Sequence, residues 1–150
     1  MRSVLQRVSS ASVEIDGNIH GSIEQGIVAL IGVEEGDSED DARYIAEKIA
    51  TTRLFNDGHG KMNLSVCDVG GSILAISQFT LHGDCRRGRR PSFVLAARPE
   101  SAIPLYDYVV KHLREVSQLR VATGIFGAHM RVFLSNEGPV TLLLDSRRQF

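Results

Sequence analysis

The chain has 150 residues, 43% of them hydrophobic and 23% charged, with a formal net charge of -1. That length suits one domain spanning residues 1–150, and so small a net charge gives no overall basic field to hold nucleic acid. Cys67 and Cys85 are too few for a disulfide framework and form no CxxC pair, so both are expected as reduced thiols.

No long apolar run opens the chain, and no window reaches the roughly 20 apolar residues of a membrane span, so a soluble, cytoplasmic protein without a membrane partner is expected. Val13 and Ile15 alternate with Ser12 and Glu14, Asp16 to Asn18 turn the chain, and Ile19 and Ile23 return it as a hairpin. After Gln25-Gly26, "IVALIGV" is a continuous apolar run, the pattern of a strand buried on both faces. Ser38 and Asp41 resemble a capping box, and Ala42, Ile45 and Ile49 at helical spacing predict an amphipathic helix over 39–50. "FNDGHGKMN" reads as a loop and "SILAISQFTL" as a further apolar strand, closed by the polar loop "HGDCRRGRRPSF". Ile103, Tyr106, Val110 and Leu113 predict a second helix that tolerates Pro104 in its first turn. "HMRVFLS" and "VTLLLDS" are strands separated by Gly138-Pro139. Strands and two helices that do not alternate strictly predict an α+β fold: a mixed or antiparallel sheet, curled toward a barrel, with both helices packed on one side.

Three stretches carry chemistry. Ser77, Gln78 and Thr80 are polar groups at a strand end, where a scaffold can expose hydroxyls and N–H groups to a ligand. A Thr80 nucleophile needs a base, and on a strand His82 shares its face; the plainer reading makes Thr80 a strand former and His82 a solvated loop residue. Arg86, Arg87, Arg89 and Arg90 surround Gly88, and guanidinium groups pair with phosphates bidentately; Arg147 and Arg148 extend the basic character to the tail. The alternative for that loop is a solvated, partly ion-paired surface. No aromatic ladder accompanies it, so reading of bases is not expected. His59, His82, Asp84, Cys85, His112 and His129 are scattered without metal-ligand spacing, so neither a metal nor a cofactor is expected. Gly138-Pro139 is either an ordinary tight turn or a rigid tip whose main-chain carbonyls approach a ligand closely, excluding a substituent where hydrogen fits.

"SQFTL" at 77–81, "GRRPSF" at 88–93 and "NEGPVT" at 136–141, in that order, resemble the signature segments of the D-aminoacyl-tRNA deacylases. The opening segment and "IVALIGVEEGDSEDDARYIAEKIATTRLFND" are similar to that family as well, so the resemblance covers essentially the whole chain. It implies a homodimer with a barrel-like sheet and active sites at the subunit interface. It implies hydrolysis of the ester between a D-amino acid, or mischarged glycine, and the 3′-terminal adenosine of tRNA. By the same resemblance Ser77, Gln78, Phe79 and Thr80 line the catalytic pocket, and Gly138 and Pro139 form a cis dipeptide inserted into the partner's site. Arg7 and Met130 brace that tip, Asn136 joins the substrate-binding set, and Arg86, Arg87, Arg89 and Arg90 meet tRNA. The chemistry implied is substrate-assisted: the adenosine 2′-OH activates water, and main-chain N–H groups near Phe79 and Thr80 hold the oxyanion. His82 and Ile125 depart from the family's pattern. Two other readings stay open, a non-catalytic RNA-binding dimer and a sister deacylase with relaxed chirality.

Overall fold

The structure, a computed structural model, describes residues 1–149. Its organising element is β1 (Arg2–Ile15), a strand long enough to pair with different partners along its length. Asp16 and Gly17 both take positive φ (50° and 79°), the mirror-image turn that suits the twist of a hairpin, and the chain returns as β2 (Asn18–Ile23) and then β3 (Gly26–Gly32). Ile23 lies opposite Ala11 and Gly26 opposite Val8, so β2 and β3 run back along one edge of β1. The other edge is taken by β8 (Arg131–Asp145).

From β3 the sheet continues in parallel. β6 (Ser72–Ser77) pairs with β3, and β7 (Val121–Thr123) pairs with β6. β2 curls over to meet β7, and the approach is close: a Cβ on Gly21 would lie 2.9 Å from the Thr123 carbonyl oxygen. The result is the expected curled, mixed sheet, nearly closed into a barrel. Period-two alternation divides its residues. Ile27, Ala29, Ile31, Ile73 and Ala75 face the helices, whereas Val28, Leu74 and Ile76 join Val8, Val13 and Ile23 inside the barrel.

Both helices cover the same face. At the start of α1 (Glu39–Thr51), Asp41 Oδ2 accepts the Ser38 N–H at 2.9 Å and the Ser38 hydroxyl at 2.8 Å. The helix then buries Ala42, Ile45, Ala46, Ile49 and Ala50. The second helix, α2 (Pro99–Ser117), begins earlier than its apolar stripe suggests, with Pro99 at the first positions, where a missing N–H costs no helical bond. Pro104 therefore sits inside the helix on its exposed side, not in the first turn, and Ile103 is exposed rather than part of the buried stripe. That stripe is Ala102, Tyr106, Val109, Val110 and Leu113. The Tyr106 hydroxyl donates to the Ala75 carbonyl at 2.9 Å, which satisfies its one polar atom in the interior.

Two further expectations are corrected. "SQFTL" is not strand: β6 stops at Ser77, and Phe79–His82 form a 3-10 turn, because β3 itself ends at Gly32 and offers no further ladder. Nor does Gly138-Pro139 join two strands as a turn. Asn136 and Thr141 lie opposite Val8 and Gln6 of the same β1, so β8 is one strand that bulges outward between them, with Arg7 facing the bulge. The loop after α1 also holds a small hairpin that its composition concealed, β4 (Phe55–Asn56) with β5 (Met62–Leu64).

Tight β3–β6 pairing generates a stability prediction. A Cβ on Gly26 would overlap the Ser72 carbonyl, whereas one on Gly58 meets nothing within 4 Å. Gly26→Ala is expected to lower the unfolding free energy in urea by about 3 kcal/mol, with Gly58→Ala within about 0.5 kcal/mol of the parent.

Candidate active site

The parallel strands β3, β6 and β7 end at a common rim, and the segment after each enters one cleft of about 620 Å3. Val33 follows β3, Ser77 to Phe79 close β6, and Phe126 to Met130 follow β7. Clefts outside the carboxyl ends of parallel strands are where such sheets bind ligands. Phe93 and the start of α2, at Pro99 and Ala102, complete the wall. The lining is mostly apolar with a few polar groups, the composition of a small-molecule site.

The Gln78 N–H donates to the Ile31 carbonyl at 2.7 Å, the last bond that continues the β3–β6 ladder. Phe79 and Thr80 then open the 3-10 turn, and the first N–H groups of a turn have no carbonyl behind them. Among the described residues neither N–H meets an acceptor. Phe79 is 56% exposed and stands edge-to-face with Phe93, ring centres 5.1 Å apart. The Thr80 hydroxyl, also exposed, accepts from the Gln78 side-chain amide. No base among the described residues approaches it. His82 lies on a turn rather than on Thr80's strand face and is 1% exposed, so it is neither that base nor a solvated loop residue.

The bulged tip is a second, separate unit. Asn136 ties its neck: the side-chain amide donates to the Thr141 hydroxyl at 3.0 Å, and its oxygen accepts the Val140 N–H at 2.9 Å. Arg7 is buried beneath, donating through Nε to the Glu137 carbonyl at 3.0 Å and through Nη1 to the Leu54 carbonyl at 2.7 Å. Gly138 and Pro139, joined by a cis bond, are exposed. Gly138 has φ +129°, and a Cβ there would lie 2.8 Å from Val140 Cγ2 and 3.0 Å from Arg7 Nη2. Neither Gly138 nor Pro139 lines the cleft of its own chain. Met130 does, with its sulfur packed against Gly124. Within one chain, then, Arg7, Asn136, Gly138 and Pro139 form one group, and Ser77, Gln78, Phe79 and Met130 form another.

The arginine loop is uneven. Arg86 grips Asp84 with two bonds, 2.9 Å and 2.8 Å, and this pairing pulls the Asp84 carboxyl down to about 2. Arg87, Arg89 and Arg90 are exposed, and no carboxylate among the described residues pairs with them. The tail arginines are absorbed by the body. Arg147 pairs with Glu34 at 3.1 Å and Asp37 at 3.5 Å, and Arg148 lies over the Tyr44 ring. Both cysteines are free thiols. Among the described residues, no group of three or more His, Cys, Asp or Glu converges where a metal ion could sit. Periodicity gave no warning that Phe93, Phe126 and His129 share the cleft with "SQF"; the one signal was that Phe93 ends the polar loop "HGDCRRGRRPSF".

A family model described as D-Tyr-tRNA(Tyr) deacylase matches residues 4–145. The chain is 54% identical over 150 residues to the D-aminoacyl-tRNA deacylase of Thermosipho melanesiensis, covering 100% of both chains. It is 57% identical, at the same coverage, to the D-aminoacyl-tRNA deacylase of Koribacter versatilis. Among solved structures it is similar to a c-Myc DNA unwinding element binding protein, with TM-score 0.92 and 37% identity over 97% of this chain and 98% of that one. A probable eukaryotic D-amino acid tRNA deacylase shares the fold, with TM-score 0.83 at 17% identity over 95% of this chain and 97% of that one.

Arg7 is a charged support of the tip. Arg7→Met leaves the carbonyls of Glu137 and Leu54 without their donor, and urea titration is expected to show a loss of about 1–3 kcal/mol.

Proposed function

The chain belongs to the D-Tyr-tRNA(Tyr) deacylase family, hydrolases of aminoacyl-tRNA, and from that membership we propose that it cleaves the ester between a D-amino acid, or mischarged glycine, and the 3′-terminal adenosine of tRNA. The observation that carries the reading is the pair of N–H groups at Phe79 and Thr80, left without acceptors in the turn by which the chain leaves the apolar cleft that Phe79 lines. Donors held in place before charge develops are what a tetrahedral oxyanion needs, and they cost no reorganisation during the reaction. Ser77 and Gln78 shape the same wall. The Thr80 hydroxyl, held by Gln78 with no base beside it, positions substrate without forming an acyl-enzyme. The 2′-OH of the terminal adenosine activates the attacking water, so the chain contributes position and electrostatics rather than a nucleophile.

Chirality is sensed in this reading by Gly138 and Pro139 of a second copy. Three features support it. The tip is exposed and outside its own cleft, Arg7 and Asn136 hold it rigid, and Gly138 presents carbonyl without side chain. A main-chain wall of that kind leaves room for hydrogen and none for an L side chain. Beside the tip, β8 is an edge strand with Phe133, Leu134, Leu142 and Leu143 all exposed, an apolar edge that suits another copy of the chain. Met130 lines the cleft wall, and in this reading it braces the incoming tip. Arg87, Arg89 and Arg90, with Arg86 paired to Asp84, meet phosphates of the acceptor strand. The work of the protein then lies in the cytoplasm with translation. No described helix is long and apolar enough to cross a membrane.

Purified protein incubated with D-tyrosyl-, L-tyrosyl- and glycyl-tRNA is expected to release D-tyrosine and glycine, and L-tyrosine at least about 100-fold more slowly. Equal loss of both tyrosyl esters would remove the selector, and tRNA retention without any cleavage would leave only a binding protein. Thr80→Ala is expected to keep activity within about tenfold of the parent; an acyl adduct on Thr80 in mass spectra contradicts the mechanism. Replacing Arg87, Arg89 and Arg90 by Ala should weaken tRNA binding and flatten its salt dependence by roughly 0.7–0.9 in slope for each phosphate that the loop no longer neutralises.

A further inference from the structure

We propose that His82 is a positioning residue for the turn that carries Phe79 and Thr80: its neutral ring, wedged beneath Gly32, holds those two N–H groups in place, and a proton on the ring releases them. The inference rests on the deacylase reading only for what the two N–H groups do.

His82 is the last residue of the Phe79–His82 turn, and its side chain is fully buried. The ring fills the space between that turn and the end of β3. A Cβ on Gly32 would lie 3.1 Å from both Cδ2 and Nε2 of the imidazole and 2.8 Å from the Gln78 carbonyl oxygen. Strand end, ring and turn are therefore in mutual contact, and the height of the turn over β3 depends on the ring staying where it is. Close packing transmits such a displacement instead of absorbing it.

The surroundings suit a neutral ring. Neither nitrogen completes a hydrogen bond of good geometry, although buried polar atoms normally do. The nearest carboxylate, Glu34, is 3.9 Å from Nδ1 and already engaged by Arg147 at 3.1 Å. From β1, the Arg2 guanidinium donates to the Leu81 carbonyl at 3.3 Å and pairs with Asp145 at 3.0 Å. The amino group of Met1 pairs with Asp37 at 2.7 Å. On the loop side, Asp84, Cys85 and Arg86 share a polar cavity of about 590 Å3 with His82, and Asp84 is taken by Arg86. A proton on His82 thus adds a buried cation beside Arg2 and the amino terminus, with the carboxylates of Glu34 and Asp84 already engaged.

Burial pushes the His82 pKa down from 6.5, against the opposite pull of the Gly32 carbonyl and Glu34, with Arg2 and the amino terminus pushing it down further. The folded chain therefore binds this proton less tightly than the unfolded one. The stabilisation is fully present above about pH 6.5 and is lost as pH falls through the lower, folded value.

The test has two arms. In NMR of the labelled full chain, the His82 ring is expected to titrate below the ordinary histidine value, with the Phe79 and Thr80 amides shifting at the same midpoint. In single-turnover cleavage of D-tyrosyl-tRNA, the rate ratio of the parent to His82→Phe should be flat above about pH 6.5 and fall by up to about tenfold for each pH unit below the midpoint. A His82 titration that leaves the Thr80 amide unmoved, or a ratio constant from pH 5 to 8, overturns the proposal. Should His82→Phe fail to fold, the NMR arm on the parent decides alone. Absence of ester cleavage at every pH counts against the deacylase reading, and the amide titration still tests His82.

Discussion

One hydrogen bond marks where the chain leaves the sheet for the candidate site: the Gln78 N–H to the Ile31 carbonyl, where the parallel β3–β6 ladder runs out. β3 stops at Gly32, whose missing Cβ is what allows the Gln78 carbonyl and the His82 ring to close over it. With no further ladder to join, the chain turns at once, and a turn begun in this way leaves its first N–H groups without intrachain acceptors. The two donors proposed for the oxyanion are a consequence of where a sheet ends. No reactive side chain had to be placed for them.

The proposed selector is a rigid tip, and it depends on β1. Because both edges of β1 are occupied, by β2 and β3 on one side and β8 on the other, the two flanks of the bulge in β8 are each pinned to a fixed register. A one-residue slip would turn every side chain of β8 to the opposite face. Asn136 closes the neck and Arg7 supports the base, so the exposed Gly138 and Pro139 need no side-chain contacts of their own. The unused edge of β8 carries apolar residues toward solvent, and a proposed second copy would bring tip and cleft together by the same edge.

Charge follows a similar economy. A chain of net charge -1 still presents three arginines on one loop without carboxylate partners among the described residues, while the loop's own Asp84 and the carboxylates Glu34, Asp37 and Asp145 are engaged by other cations. Arg2, Arg147 and the amino terminus are knotted with Asp145, Glu34 and Asp37 beside the His82 turn. That knot binds the two ends of the chain to the segment after β3, and it is also what makes the vicinity of His82 inhospitable to one more positive charge.

Local pattern alone was enough for the hairpin at Asp16-Gly17, the doubly buried strand of "IVALIGV", the Ser38 helix start and the α+β class with both helices on one face. Each of these is decided within a few residues by turn chemistry, capping or hydrophobic period. The sequence also singled out "SQFT" and Gly138-Pro139 as unusual. It extended the first as strand and left the second open between a turn and a rigid tip, because an apolar run shows no mark where its neighbouring strand ends, and a glycine-proline pair is the same in a turn as in a bulge. Which residues meet was settled only by long-range pairing. Arg7 came under a tip some 130 positions away, His82 sank beneath Gly32, and Phe93 and Phe126 joined the cleft, since such contacts depend on register between strands distant in the chain, a quantity that no local period encodes.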